Sequence, residues 1–486
     1  MSTEPMAFIT KAKSFFRFLD GKQGSTNIRR SNLETSIFSF YWSLLLLYVA
    51  LPQGLKTKIG SIDLLNNASP TQIRNAWGPG DAGSLLDTAL TWSKFENIDP
   101  TNQYWIVHLW TPGMSLIEVP LIWISHIGIP IFWSLLFITT LLWVSIFWLT
   151  WKYLTGLIGR LPVASLFLML GLSWDFQYFF RDSLFYTEGL AFGLLVLGLG
   201  VLTWALITKE SRLRIFVLAG FFVGTSVLIR HVSDFGLSVF CAIAFIGFVF
   251  QRKNAINQIL KSVPKKKQNK AKSLIKITDF DFYKLMISGI VANLVLLPWR
   301  FLSYFIFGGK PWILSTAAGG VGVGAWTPNS KIGIWGFSGM NWACNIEPLK
   351  CISIYLLPQS PHNDLVRLLQ AVWAAIQNPI SYLNFRGHYL QMNWIPAGVH
   401  SIFNFQVISS LLPVALFISG LVILHRSKHA LIVAWVWLPF LILELGQLLL
   451  IHYESRYFIP IRLFAIGFYL FAIAVKSSKE KVTLDD

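Results

Sequence analysis

An all-α polytopic membrane protein is the fold class that this sequence predicts, and three observations carry the prediction. Over 486 residues, 54% are hydrophobic and only 13% are charged, a balance in which length counts membrane spans rather than soluble domains. Aromatic residues are abundant, with 21 Trp and 39 Phe, as suits side chains at membrane interfaces. The basic residues collect between apolar runs, where they set topology by facing the cytoplasm.

The formal net charge of +17 raises the possibility of a nucleic-acid partner, but no aromatic-basic groove pattern or binding motif accompanies it. No nucleic acid is therefore expected; membrane lipids are the expected neighbours. Cys241, Cys344 and Cys351 show no metal-ligand spacing, and the histidines form no spaced ligand set, so neither a metal nor a cofactor is expected. Cys344 and Cys351 form a disulfide pair only as an open alternative in an oxidising compartment.

The elements follow from alternating apolar runs and basic clusters. A polar lead, 1–36, carries Lys11, Lys13, Arg17, Lys22, Arg29 and Arg30 and has no small-residue cleavage site before the apolar run from Ile37 to Leu51, so 37–52 reads as a first span. One span falls within 112–150. Further spans are predicted at 161–180, 184–207, 213–229, 234–250, 285–305, 402–424, 430–450 and 457–475. Placing KESRLR (209–214), HRSKH (425–429), KSSKEK (476–481) and the stretch from Arg252 to Lys284 in the cytoplasm makes ten crossings, with both termini cytoplasmic. The segment 112–150 is too long for one span and carries Glu118 and His126. One crossing preceded by an interfacial or re-entrant helix preserves the charge rule, and so do three crossings, giving ten to twelve helices.

In this organisation, 37–305 is an N-terminal transmembrane region. It contains an outer loop, 53–111, and a basic cytoplasmic linker, 251–284, whose PKKKQNKAK stretch is attracted to anionic headgroups. Residues 306–400, rich in Gly, Trp, Pro and Asn, form a small outer cap; 401–475 is a C-terminal transmembrane region and 476–486 a cytoplasmic tail. The location this predicts is a bacterial inner membrane.

Carboxylates near a membrane are costly unless paired, so each needs a reason. In GPGDAGSLLDTAL (78–90), Asp81 follows a helix-breaking Gly-Pro-Gly and precedes apolar residues at helical spacing. It reads as a helix N-cap, and a rigidly held cap carboxylate is also suited to act as a base. Asp87 falls well round the helical wheel from it. Three outward turns then combine Arg with a carboxylate or His. One carries Arg181, Asp182, Tyr186 and Glu188; the next carries Arg230, His231 and Asp234; the last carries His452, Glu454, Arg456 and Tyr457. Any one arginine can be a simple interface anchor, but three such turns together resemble the walls of one cavity beside the outer leaflet. Arginines there suit a phosphate leaving group, and a carboxylate across the cavity suits removal of a proton from an attacking hydroxyl. No GxxxxGK[ST] and no Gly-rich dinucleotide loop is present.

These stretches, taken in order, resemble integral-membrane glycosyltransferases of the GT-C fold, and most nearly the branch of protein O-mannosyltransferases and lipid A aminoarabinose transferases. GDAGSLLDTAL resembles the acidic outer loop after the first span, with Asp81 at the acidic position, and WTPGMSLIEVP resembles the proline that opens the second membrane segment. RDSLFYTEGLAFGLLVLGL puts Glu188 before a small-residue helix; LAGFFVGTSVLIRHVSD ends a Gly-rich span on Arg230. VLLPWRFLSYFIFGG resembles the Pro-Trp ending a span, and RYFIP resembles an Arg-Tyr-x-x-Pro, with Arg456 at the arginine. The chain departs from that pattern in having Ala82 where many relatives carry a second carboxylate, and in having Arg300 directly after Trp299.

The resemblance implies a GT-C-like bundle of ten to twelve helices with outward-facing loop helices. It also implies transfer of a sugar from a polyprenyl-phosphate donor to a lipid, glycan or protein acceptor on the outer face. Asp81 and Glu188 take the catalytic positions; Arg181, Arg230, His231, Arg456 and Tyr457 take the substrate-binding positions. Two other classes compete. A lipid-linked oligosaccharide flippase calls for charges within the bilayer and often an internal repeat. An O-antigen-type polymerase or ligase calls for an arginine-rich second outer loop, whereas 307–400 has only Arg367 and Arg386 as arginines.

Overall fold

The computed structural model describes residues 81–97, 111–158, 187–207, 209–230, 234–262 and 281–307, with pieces of 415–423, 436–440 and 468–472. Seven helices account for most of it: α1 (Asp81–Ser93), α2 (Gly113–Ser125), α3 (Ile131–Ile158), α4 (Thr187–Ile207), α5 (Leu213–Ile229), α6 (Asp234–Ser262) and α7 (Asp281–Phe307). Four stretches, Ile131–Leu149, Thr187–Leu206, Gly236–Lys253 and Phe282–Leu302, are long and apolar enough to cross a membrane. The protein is a helical, multi-pass integral membrane protein.

Observed helices start and stop close to the predicted ones. Helix α5 occupies the predicted 213–229, and α4, described over Thr187–Ile207, falls within the predicted 184–207. The ambiguous 112–150 segment divides into the short α2 and the long α3, the arrangement of one crossing preceded by a short helix. Gly128, at φ 95°, supplies the left-handed residue of the turn between them, and Pro130 follows immediately. The predicted linker 251–284 differs at both ends. Helix α6 continues to Ser262 and α7 starts at Asp281, because QRKNAINQILKS holds neither Gly nor Pro to end the helix.

Contacts fix how the helices run. Ser226 Oγ donates to the Ala191 carbonyl at 2.6 Å, and Gly198 faces Ala219 and Val223, so α4 and α5 are antiparallel. Gly220 faces Ser288 and Gly224 faces Ala292, so α5 and α7 are parallel. Asp234 meets Arg300, Cys241 meets Asn293, and Phe248 meets Tyr283, so α6 runs antiparallel to α7. One end of the bundle therefore gathers Lys209, Arg212, Arg214, Arg252, Lys253 and Lys284. The other gathers Glu188, Arg230, Asp234 and Arg300. At the basic end, hydrogen bonds from Arg212 hold the Glu210 carboxyl down at about 2, fixing the charge of the α4–α5 turn. Lys284 lies over the Phe216 ring, 5.5 Å from its centroid.

The core lies where α5 passes between α4 and α7. Phe216, Ala219 and Val227 of α5 pack with Leu199 and Leu202 of α4 and with Ala292 and Leu296 of α7. Trp437 joins them, donating its indole N–H to Thr203 Oγ1 at 2.8 Å. In lipid, helices associate through close packing rather than through the hydrophobic effect, which favours small residues at the contact. A Cβ added at Gly220 would stand 2.3 Å from the Ser288 carbonyl oxygen, and one at Gly224 would stand 2.6 Å from that of Ala292. Both obstacles are backbone and cannot swing away. Gly220→Ala should therefore cost about 1–3 kcal/mol of overpacking strain, measured as a fall in thermal stability in detergent. Gly200 has open space about its Cβ position, so Gly200→Ala is the matched control and should lose nothing.

Candidate functional site

Four charged side chains meet at the end of the bundle opposite the basic turns, and helix ends put them there. Glu188 stands in the first turn of α4, where the helix dipole favours a carboxylate. Arg230 directly follows α5; since α5 is antiparallel to α4, its last turn arrives beside that carboxylate. Arg230 Nη1 lies 2.5 Å from Glu188 Oε1 and donates to Thr187 Oγ1 at 3.3 Å. Glu188 is fully buried and the Arg230 side chain is 14% exposed, so this pair is largely shielded from solvent.

A second pair lies one short connection away. Asp234 begins α6, and Arg300 sits near the end of α7 with Nη2 2.6 Å from Asp234 Oδ1. Arg300 Nη1 also donates to Asn293 Oδ1 at 3.3 Å, while Asn293 Nδ2 donates to the Gly289 carbonyl at 2.9 Å. Asp234 follows Arg230 by four positions, a reach of about 14 Å at most.

Helix α1 lies over this same end. Ser115 Oγ donates to the Leu85 carbonyl at 2.8 Å, tying α1 to the first turn of α2. Gly113, at the start of α2, is pressed against the backbone of Leu228 and Ile229, the last residues of α5 before Arg230. Farther along α1, the Trp92 ring lies 6.4 Å from that of Trp299, the neighbour of Arg300. Asp81 is the first residue of α1, one turn before Leu85, as its reading as a helix-starting residue anticipates. A helix expected within 53–111 is thus present, and its last turn reaches the neighbour of Arg300.

The sequence named Glu188 and Arg230 separately, on two different turns, and the fold brings them together. Arg230 and Arg300 each meet a carboxylate that another helix supplies. Arg300 was legible only as a departure from a family pattern, and its partnership with Asp234 depends on α6 and α7 packing antiparallel. Arg181, His231, Arg456 and Tyr457 lie outside the described residues, as do Cys344 and Cys351.

Glu118, noted in the sequence only as a charge within the over-long 112–150 segment, has no part in the predicted site. It lies in α2, a 13-residue helix about 20 Å long, too short to cross a bilayer. The side chain is fully buried, and neither carboxylate oxygen has a hydrogen-bond partner among the described residues. Burial pushes its carboxyl well above the usual carboxylate range. Leaving such a group unsatisfied costs about 1–3 kcal/mol, and Glu118→Met should accordingly raise the thermal midpoint. A fall would show that the carboxyl has a partner that it needs.

Among the described residues, no group of three or more His, Cys, Asp or Glu side chains is placed to hold a metal ion. Comparison with protein-family models, with curated proteins and with solved structures finds no match.

Proposed function

We propose that the protein is a membrane glycosyltransferase that moves a sugar from a polyprenyl-phosphate donor to a lipid, glycan or protein acceptor. Its site lies at the end of the bundle where Glu188, Arg230, Asp234 and Arg300 gather, with the GT-C arrangement as the wider architecture. The observation that carries the reading is the pairing of two arginines with carboxylates at one end, while the basic turns collect at the other. By the positive-inside rule the basic end is cytoplasmic, which puts the arginine end, in a bacterial cell, on the outer side of the inner membrane.

In the reaction, the acceptor hydroxyl oxygen attacks the anomeric carbon of the donor sugar. The bond from that carbon to the phosphate oxygen breaks, and the polyprenyl phosphate leaves with the electron pair. Asp81 takes the hydroxyl proton, the role of a general base for which a carboxylate is suited. A guanidinium carries five N–H donors, so Arg230 can hold Glu188 and still offer N–H groups to a phosphate. Glu188 then orients Arg230, and Arg456 adds a second contact to the donor. Arg181, His231 and Tyr457 complete the binding surface of this reading.

The test is reconstitution in liposomes with a panel of radiolabelled polyprenyl-phosphate sugars, scored for label in lipid, glycan and peptide fractions. Transfer of one sugar to one class of acceptor is the expected result. Donor that stays intact across the whole panel would contradict the reading.

A further inference from the structure

The described residues pack into two apolar clusters, and the smaller one holds an acid that the reaction does not use. This second cluster joins α1, α2 and the first turns of α3, with Leu190 of α4 and Ile229 of α5 at its border. Met114, Leu121 and Ile122 bring α2 into it, and Glu118 is buried on the same helix. Both Glu118 oxygens lack a hydrogen-bond partner, and burial is the cause of the upward shift of its carboxyl.

The charged groups on the surrounding elements stand elsewhere. On α1 and the turn after α2, Asp87 is half-buried, while Lys94, Glu96 and His126 are exposed. Leu85 meets Ser115 and Ser93 meets Trp123, so α1 and α2 run parallel. That offset puts Asp81, at the start of α1, about 10 Å along the axis from the level of Glu118. Helix α3 has no charged residue before Lys152, and Arg230 after α5 is held by Glu188 of α4. An isolated ionised carboxylate is far costlier in an apolar interior than in water, so ionisation of Glu118 and docking of α2 oppose each other.

The same two helices touch the arginine end at two points. Gly113 of α2 presses on Leu228 and Ile229, directly before Arg230, and Trp92 of α1 meets Trp299, directly before Arg300. Whatever loosens α2 therefore loosens a cover on both arginine pairs. We propose that α1 and α2 form a proton-gated cover, docked on the arginine end while Glu118 is neutral and released when it ionises. The gate is independent of which donor the site takes.

The direction of the pH dependence follows from the docked carboxyl titrating above the ordinary range. Docking is most favoured below that range. It weakens as pH rises toward the docked carboxyl's own value, and the opening equilibrium then grows about tenfold per pH unit.

Amide hydrogen exchange of the full chain in nanodiscs, wild type against Glu118→Gln, tests this. The chemical exchange rate at each pH is common to both proteins, so the ratio of their rates reports opening. In α1 and α2 that ratio should rise at least about tenfold between about pH 5 and pH 7, while in the α5 core it should stay level. If Glu118→Gln fails to fold, Glu118→Met carries the same expectation. A ratio in α1 and α2 that does not change with pH would overturn the gate, and so would an equal rise in α5, which would mark a change in the whole bundle.

Discussion

Asp81→Asn should fold normally and lose sugar transfer by a factor on the order of 10²–10⁴, the usual worth of a positioned general base. The substitution separates two roles that the position combines. Asp81 begins α1, and Asn caps a helix about as well as Asp. A residue that only starts the helix would therefore leave both stability and turnover near wild type. A base, in contrast, needs an ionised oxygen, which the amide lacks. The measurement is turnover under saturating donor alongside thermal stability, with Asp87→Asn as the comparison. Asp87 is half-buried farther along α1 and should tolerate the change far better. An Asp81→Asn protein with full turnover would return the residue to a purely structural role.

The second large effect belongs to the Arg230–Glu188 pair. Breaking a buried ion pair from one side leaves the other charge without its partner, at a cost of about 3–5 kcal/mol. Glu188 is fully buried, and its contact with Arg230 is 2.5 Å, so Arg230→Ala should be strongly destabilised. The double variant Glu188→Gln/Arg230→Gln removes both charges and should recover most of that loss. Transfer should stay low in the double variant, because the guanidinium that meets the donor phosphate is gone. Thermal unfolding of the two single variants and the double variant supplies the coupling energy. Additive losses, with no recovery in the double variant, would mean that the two side chains do not depend on each other.

Much of the bundle could be read from the chain because hydropathy and basic clusters act locally. The run 213–229 lies between Arg212 and Arg230 and forms a helix over the same residues. The GPG before Asp81 marked the start of α1 for a similar reason, since Gly and Pro are the poorest helix formers. Partner choice is another matter. Glu188 finds Arg230 because α4 and α5 are antiparallel, and Asp234 finds Arg300 because α6 packs against α7; neither follows from spacing along the chain. Glu118 was hidden by its setting. In sequence it is one acid at the start of a long apolar stretch, and its burial becomes evident only once α2 packs beside α1 and α3.

The claim on which the rest depends is that the donor's sugar–phosphate bond breaks at the arginine end of the bundle. Proteoliposomes holding a polyprenyl-phosphate sugar labelled in both the sugar and the lipid, together with the acceptor class found in the panel, test it directly. The account predicts one polyprenyl phosphate released for each sugar transferred, with both products slowed together by Asp81→Asn. Donor that crosses to the other leaflet with its sugar still attached, and releases no polyprenyl phosphate, would contradict it and identify a transporter instead.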